Sequence, residues 1–329
     1  MKCEQPQPAA HRPADRQRGV ALVTALLVVA MATVAAVAMA TRQHIDVRRT
    51  GNLVHGEQAY AYALAAESWA RVTLRRDARE SDYDSLDEDW ATALPPIAVE
   101  GGLVSGRVED LQGRFNLNNL VGEDGKASEA DRAYFIRLLE LLGLEKSLAD
   151  TLSDWIDADI DARYPDGAED VDYLLNEPAY RTANRPLAGI SELRLVKGFD
   201  DAALQLLLPH VTALPGRTLI NVNTATATVL QALHSELDEG AVESLLADRG
   251  DSGYETVDAF MGHTALAGLE LDTAVDVKSD YFRILTDVVV GQGQARLESL
   301  LSRADGDTRI IYRVRSPIRS APQIEGVND

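Results

Sequence analysis

"RQRGVALVTALLVVAMATVAAVAMATRQ", residues 16–43, is an uncharged apolar run set between basic clusters. From Val20 to Ala40 there are 21 consecutive residues without a charge, and only Thr24 and Thr33 are polar. As a helix rising about 1.5 Å per residue the run covers about 32 Å, enough to cross the hydrocarbon core of a bilayer. Lys2, Arg12, Arg16 and Arg18 precede it, and Arg42, Arg48 and Arg49 follow it. A short basic N-terminus usually stays in the cytoplasm, which places the long C-terminal part outside. Three machines can read such a run. Ala38-Met39-Ala40 has the small-x-small form that a signal peptidase cuts, although an apolar region of about 20 residues exceeds the usual ~7–15. The other two readings are a plain permanent anchor and a helix that packs against copies of its own kind.

The rest of the chain narrows the function classes. At 329 residues and 46% hydrophobic composition it has enough apolar material for a large domain or two ordinary ones. Its net charge of -20 and pI near 4.7 make it a poor partner for polyanions, because nucleic-acid affinity rests on cationic side chains. Acidic chains more often solvate themselves or hold hard cations. Cys3 is the single cysteine, so nothing beyond the apolar run can use a disulfide, a cysteine zinc site or a thiol nucleophile. The histidines at 11, 44, 55, 210, 234 and 263 have no metal-binding spacing, and no Gly-x-Ser-x-Gly elbow is present. Catalysis therefore has little support.

Beyond the run, "YAYALAAESWARVTLRRDAR" (60–79) continues the helix, with Tyr62, Ala66, Trp69 and Thr73 on one side and Arg71, Arg75 and Arg76 mostly on others. Gly51 and Gly56 predict a bend or flexible joint before it. Residues 77–101 read as an acidic loop, followed by a strand near 104 and a turn at Asn116, Asn118 and Asn119. From Ser128, a plausible N-cap, to Gly143 the pattern is helical, and helical patterns recur at 151–156, 190–196, 201–208, 224–233, 240–248 and 256–262. After about 280 the period becomes two, with Gly-Gln-Gly and Asp-Gly-Asp turns separating three strands. These patterns predict an α+β fold in which a long N-terminal helix and an antiparallel sheet carry an inserted helical block.

Between Asp154 and Asp172 lie eight acids, Asp154, Asp157, Asp159, Asp161, Asp166, Glu169, Asp170 and Asp172, against one base, Arg163. Repulsion at that density opposes a compact loop unless a cation neutralises it, and calcium accepts six to eight hard oxygens in irregular geometry. Asp157-x-Asp159-x-Asp161 imitates the start of an EF-hand, but Ala162 stands where glycine is needed and Glu169 falls one residue late. A solvated acidic loop is the competing reading. "INVNTATATVLQALHSELDEGAVESLLADRG" (220–250) looks like a helix-hairpin-helix module, but two acids of Leu237-Asp238-Glu239-Gly240 stand where phosphate would sit. It reads as a packing unit.

A basic leader ending in Gly19 before an apolar helix resembles the type IV prepilin and pseudopilin N-terminus. With "DLQGRFNLNNL" (110–120), "DWIDADIDARYPDGAED" (154–170), "PLAGISELRLVKGF" (186–199) and "INVNTATATVLQAL" (220–233), the chain is similar to the minor pseudopilin K family of type II secretion systems. That resemblance implies a prepilin peptidase cut between Gly19 and Val20, methylation of the new N-terminus, and a single-pass inner-membrane protein with a periplasmic C-terminal part. Most type IV prepilins and pseudopilins carry Glu at the fifth mature position, where Thr24 stands here. That carboxylate pairs with the N-terminus of the preceding subunit, and unpaired in lipid it costs a few kcal/mol. Its absence fits a first subunit, at the tip. The implied layout is a leader (1–19), a transmembrane helix (20–40), a pseudopilin core (41–127 and 265–316), an inserted helical domain (128–264) and a tail (317–329). Implied partners are the minor pseudopilins I and J, other pseudopilins, the peptidase and the membrane, with no nucleic acid. The implied cofactor is calcium in the helical domain, drawn from the eight acids, with Asp157, Asp159, Asp161 and Asp170 as first choices. A stand-alone membrane-anchored module binding calcium or nucleic acid is the alternative.

Overall fold

The computed structural model describes residues 17–122, 124–304 and 307–316. The tail at 317–329, the leader up to residue 16 and Cys3 lie outside the described residues. Helix α1 (Gln17–Glu80) is a single element of 64 residues, about 96 Å long. It passes unbroken through Gly51 and Gly56, so the expected joint is absent. Gly56 is held from outside, because Arg315 donates to its carbonyl (3.1 Å) and the neighbouring His55 backbone packs on Gly293. At Gly51 only the intrinsic penalty of about 1 kcal/mol opposes the helix, less than breaking a cooperative helix costs.

The distal half of α1 lies on a five-stranded antiparallel sheet in the order β1 (Leu94–Val99), β2 (Gly102–Asp110), β7 (Tyr281–Val290), β8 (Gly293–Ser302), β9 (Arg309–Ser316). The buried side of the helix is Ala59, Ala63, Glu67, Ala70, Thr73 and Leu74. Of the expected stripe it includes Thr73, Tyr62 and Ala66 pack partly buried beside it, and Trp69 stays half exposed. Alanines allow the closest approach of helix to sheet, which decides the docking face more than aromatic size does. Strand β7 alternates, with Phe282, Ile284, Thr286, Val288 and Val290 buried, and it pairs residue for residue with β2 and β8. Strand β1 lies inside the stretch that reads as an acidic loop. Pro95 and Pro96 remove two ladder donors, so the segment can pair only as an edge strand, and its register shifts between Leu94 and Ile97.

Between β2 and β7 the chain builds a helical unit. Its elements are β3 (Phe115–Asn116), α2 (Glu129–Leu141), α3 (Ser147–Ile156), α4 (Asp170–Tyr173), α5 (Asp201–Leu207), β4 (Val211–Thr212), β5 (Ile220–Asn221), α6 (Ala227–Gln231), α7 (Glu239–Arg249), α8 (Val257–Met261) and β6 (Val275–Asp276). Ser128 caps α2, as its sequence predicts, by accepting from the Asp131 N–H. One buried cluster runs from Phe115 to Val277, so its core starts before 128 and ends after 264. Phe115 stacks on Tyr134 with centroids 4.6 Å apart. Parallel two-residue pairings, β3 with β4 and β5 with β6, hold its ends.

Asn116, Asn118 and Asn119 are buried and do more than turn the chain. Asn118 donates to the carbonyls of Leu187 (3.1 Å) and Leu214 (2.9 Å) and accepts from the Leu187 N–H (2.7 Å). These amides satisfy backbone groups of distant segments, as a strand would. Where the unit joins the sheet, Arg303 donates to both oxygens of Asp84 (2.5 Å each) and to Asp77 (2.8 Å). Ser279 links Asp84 to Asp110, which also accepts from Asn221 (3.0 Å) and Thr224 (2.5 Å).

Candidate metal centre

The acidic loop leaves the C-terminal end of α3 and returns at α4. Trp155 anchors its base edge-on against Tyr173, with centroids 5.0 Å apart. Asp154 is wholly buried, and its Oδ2 accepts from the backbone N–H of Arg163 (3.0 Å) and Ala168 (2.9 Å), which fixes the return of the loop. Asp157 closes α3, at the negative end of the helix dipole, where a carboxylate is disfavoured without a cation. Glu169 Oε2 accepts from the Thr182 hydroxyl (3.1 Å).

Asp157, Asp159 and Glu169 each present a carboxylate oxygen, and these oxygens all lie within 4.8 Å of one another. Asp154 Oδ1, Asp157 Oδ1 and Glu169 Oε1 are buried without a hydrogen-bond partner. Asn184 donates to the Asp159 carbonyl (2.9 Å), and its own Oδ1 is likewise buried and unpartnered. Burial, with repulsion from Asp159 and Asp154, pushes the Asp157 carboxyl up to about 6. Burial also carries Glu169 up to about 7, reinforced by Asp154 and Asp157 against the Thr182 hydrogen bond. Asp154 is raised by burial too, against its two backbone hydrogen bonds. Several hard oxygens without donors in one buried place fit a hard cation of calcium's kind.

The other acids of the loop lie elsewhere. Asp161 and Asp166 are exposed and outside the cluster. Asp170 accepts from Arg181 (2.5 Å) and Thr182, and Asp172 accepts from Lys197 (2.7 Å), so both already have cationic partners. Of the first choices, the cluster holds Asp157 and Asp159, and Glu169 stands in place of Asp161 and Asp170. Asn184 has no signal in the sequence; it reaches the loop from fifteen residues past Glu169 by tertiary folding alone. In a second acidic group, Asp77, Asp84 and Glu88, the first two pair with Arg303, so its cation is part of the chain. In the helix-hairpin-helix-like segment, Asp238 caps α7 by accepting from the Ala241 N–H (2.8 Å), occupying a donor that a phosphate would need.

Models of the type II secretion system protein K family match residues 113–216 and 220–278, the span of the helical unit. A type II secretion system protein K of Pseudomonas aeruginosa is 40% identical over 90% of this chain and 92% of its own length. The chain belongs to the type II secretion system protein K family. The Klebsiella pneumoniae member is 37% identical over 91% of this chain and 96% of its own. In the crystal structure of the GspK-GspI-GspJ complex from enterotoxigenic Escherichia coli, one chain superposes with a TM-score of 0.74 at 28% identity. The match covers 82% of this chain and all of that one. The long α1 with an antiparallel sheet on its distal half is thus the frame of a minor pseudopilin, and the helical unit is the insertion that the family models recognise.

Proposed function

We propose that this protein K starts and caps the tip of the periplasmic pseudopilus, assembling with minor pseudopilins I and J to export folded proteins across the outer membrane. Residues 20–40 anchor it in the inner membrane once a prepilin peptidase has cut before Val20, and the folded part stands in the periplasm. The observation that carries the tip reading is Thr24. Its hydroxyl donates to the Ala21 carbonyl (3.0 Å), so the position where a pairing carboxylate would stand is satisfied inside its own helix. Thr33 does the same with the Val29 carbonyl (2.8 Å), leaving the span with no side-chain polar group to pair. A subunit with no predecessor in the filament needs no carboxylate there. The likeness to a protein solved with GspI and GspJ supports the partner assignment. N-terminal sequencing of the mature protein is expected to begin at Val20. Co-expression with its own I and J homologues should yield a ternary complex by size exclusion, and elution of K alone would overturn the reading.

The helical unit is proposed to hold calcium through Asp157, Asp159 and Glu169, with Asp154 and Asn184 supplying further oxygens. Its role is structural: the cation supplies the positive charge to which these buried, unpartnered oxygens coordinate. Calcium at about a hundred times its Kd stabilises the fold by about 2.7 kcal/mol, so adding a chelator should lower the unfolding midpoint. A midpoint unchanged by chelation would reject the site without touching the assembly role.

A further inference from the structure

Just past the apolar run, α1 carries Arg42, Arg48 and Arg49, and up to Gly56 the only acid is Asp46. In a chain of net charge -20 this segment has the opposite sign. All three arginines are exposed, and among the described residues the ion pairs of α1 begin only at Glu57, which meets Arg315. The helix is continuous here, so axial positions follow from its rise: Arg42 lies about 3 Å beyond Ala40, and Arg48 and Arg49 about 12 and 14 Å beyond it. The headgroup layer adds roughly 5–8 Å on each side of the hydrocarbon core. Arg42 therefore sits at its inner boundary. The other two sit just outside it, with side chains long enough to reach back to the phosphates. Arg42 and Arg49 are seven residues apart and share one side of the helix; Arg48 is the next position round.

Two physical points call for a partner. Arginines flanking an apolar span are favoured on the cytoplasmic side, and these three stand on the other. An acidic folded part is also repelled by an anionic leaflet, and a basic collar at its root is attracted at the place where α1 leaves the membrane. We propose that Arg42, Arg48 and Arg49 form a collar that binds the phosphate headgroups of anionic phospholipids in the leaflet facing the folded part. This rests on the anchor reading above.

The test uses the full chain reconstituted in phosphatidylcholine vesicles containing a minority of phosphatidylglycerol. Spin-labelled forms of each lipid report the fraction held at the protein surface. At low salt the wild-type protein is expected to prefer phosphatidylglycerol by about fivefold or more, roughly the factor for one arginine near the surface. The variant R42Q/R48Q/R49Q should fall to parity, and R42K/R48K/R49K should keep most of the preference. Inorganic phosphate should compete no better than chloride at equal ionic strength. Equal retention of the two lipids by the wild-type protein overturns the collar, as does a preference that survives the glutamine variant or is erased by phosphate alone. Parity in lipid for the wild-type protein together with loss of the I and J complex in the glutamine variant overturns it and assigns the arginines to acids of a neighbouring subunit. Failure to float with pure phosphatidylcholine vesicles removes the anchor and the collar together; flotation without lipid preference removes the collar only.

Discussion

A β-carbon at Gly167 would overlap the Asp154 carboxylate and the backbone of Arg163 at the same time. All three of those atoms belong to the hydrogen bonds that close the acidic loop, so none can move without breaking it. Gly167→Ala should cost roughly 2–4 kcal/mol in chelator, measured by chemical denaturation, and should also weaken calcium protection because Asp154 is displaced. The ligand choice has its own check. Asp157 has a buried oxygen without a donor, and Asp161 is exposed. By isothermal titration Asp157→Asn should lower calcium affinity at least about tenfold, while Asp161→Asn should leave it unchanged although both belong to the same Asp-x-Asp-x-Asp run. Equal losses would mean that the loop binds by charge density alone.

Between elements, a buried carboxylate fastens α1 to the sheet. Glu67 is buried on the alanine face and accepts from Arg313 (2.7 and 2.8 Å) and Ser299 (2.6 Å). Burial alone would raise its carboxyl, but Arg313 and Ser299 outweigh it and hold it below the usual value of 4.5. A depressed carboxyl contributes stability that is present above its unfolded value and lost as pH falls through the folded one. Glu67→Ala should therefore cost about 1–3 kcal/mol at neutral pH, and the deficit should close on acidification below about pH 4, followed by urea unfolding. The sequence shows this helix and the three C-terminal strands plainly, because each follows a single period over many residues. It does not show β1, where prolines disguise an edge strand, or the docking face, because alanines carry little weight in a hydrophobic pattern beside Trp69 and Tyr62. The candidate centre divides in the same way. The density of acids in 154–172 is visible, but which of them stay free depends on Arg181, Thr182 and Lys197, brought back by folding to occupy Asp170 and Asp172.

Taken as a whole, the molecule is a pseudopilin frame and a helical unit that meet at Arg303. Its guanidinium is almost fully buried over the Phe282 ring, 4.6 Å from the centroid. It neutralises Asp77 in the last turn of α1 and Asp84 on the segment after it, and donates to the Ser279 carbonyl (2.9 Å) where the chain returns from the insertion to β7. Through Ser279 and Asn221 the same network reaches Asp110, at the end of the strand from which the chain departs. Both ends of the insertion are therefore fixed to the sheet by one polar cluster, which predicts that the two units unfold together. Arg303→Met removes the cation paired with both carboxylates and leaves Asp84 buried and Asp77 half-buried without it, which should cost about 3–5 kcal/mol. The cost should also depend on pH in a defined direction. Burial first, then Glu88 and Asp84, already push Asp77 up to about 7 against the pull of Arg303, and burial raises Asp110 to about 6. Acids raised in this way favour the folded state when protonated, and that contribution is lost as pH rises through the raised values. Without Arg303 the pull that opposes the rise of Asp77 is gone, so the variant should approach wild-type stability near pH 5 and fall furthest behind it near pH 8. Scanning calorimetry with calcium present should show one transition for the wild-type protein and, at the higher pH, two for the variant. A single transition displaced equally at both pH values would mean that apolar packing, and not the Arg303 cluster, joins the two units.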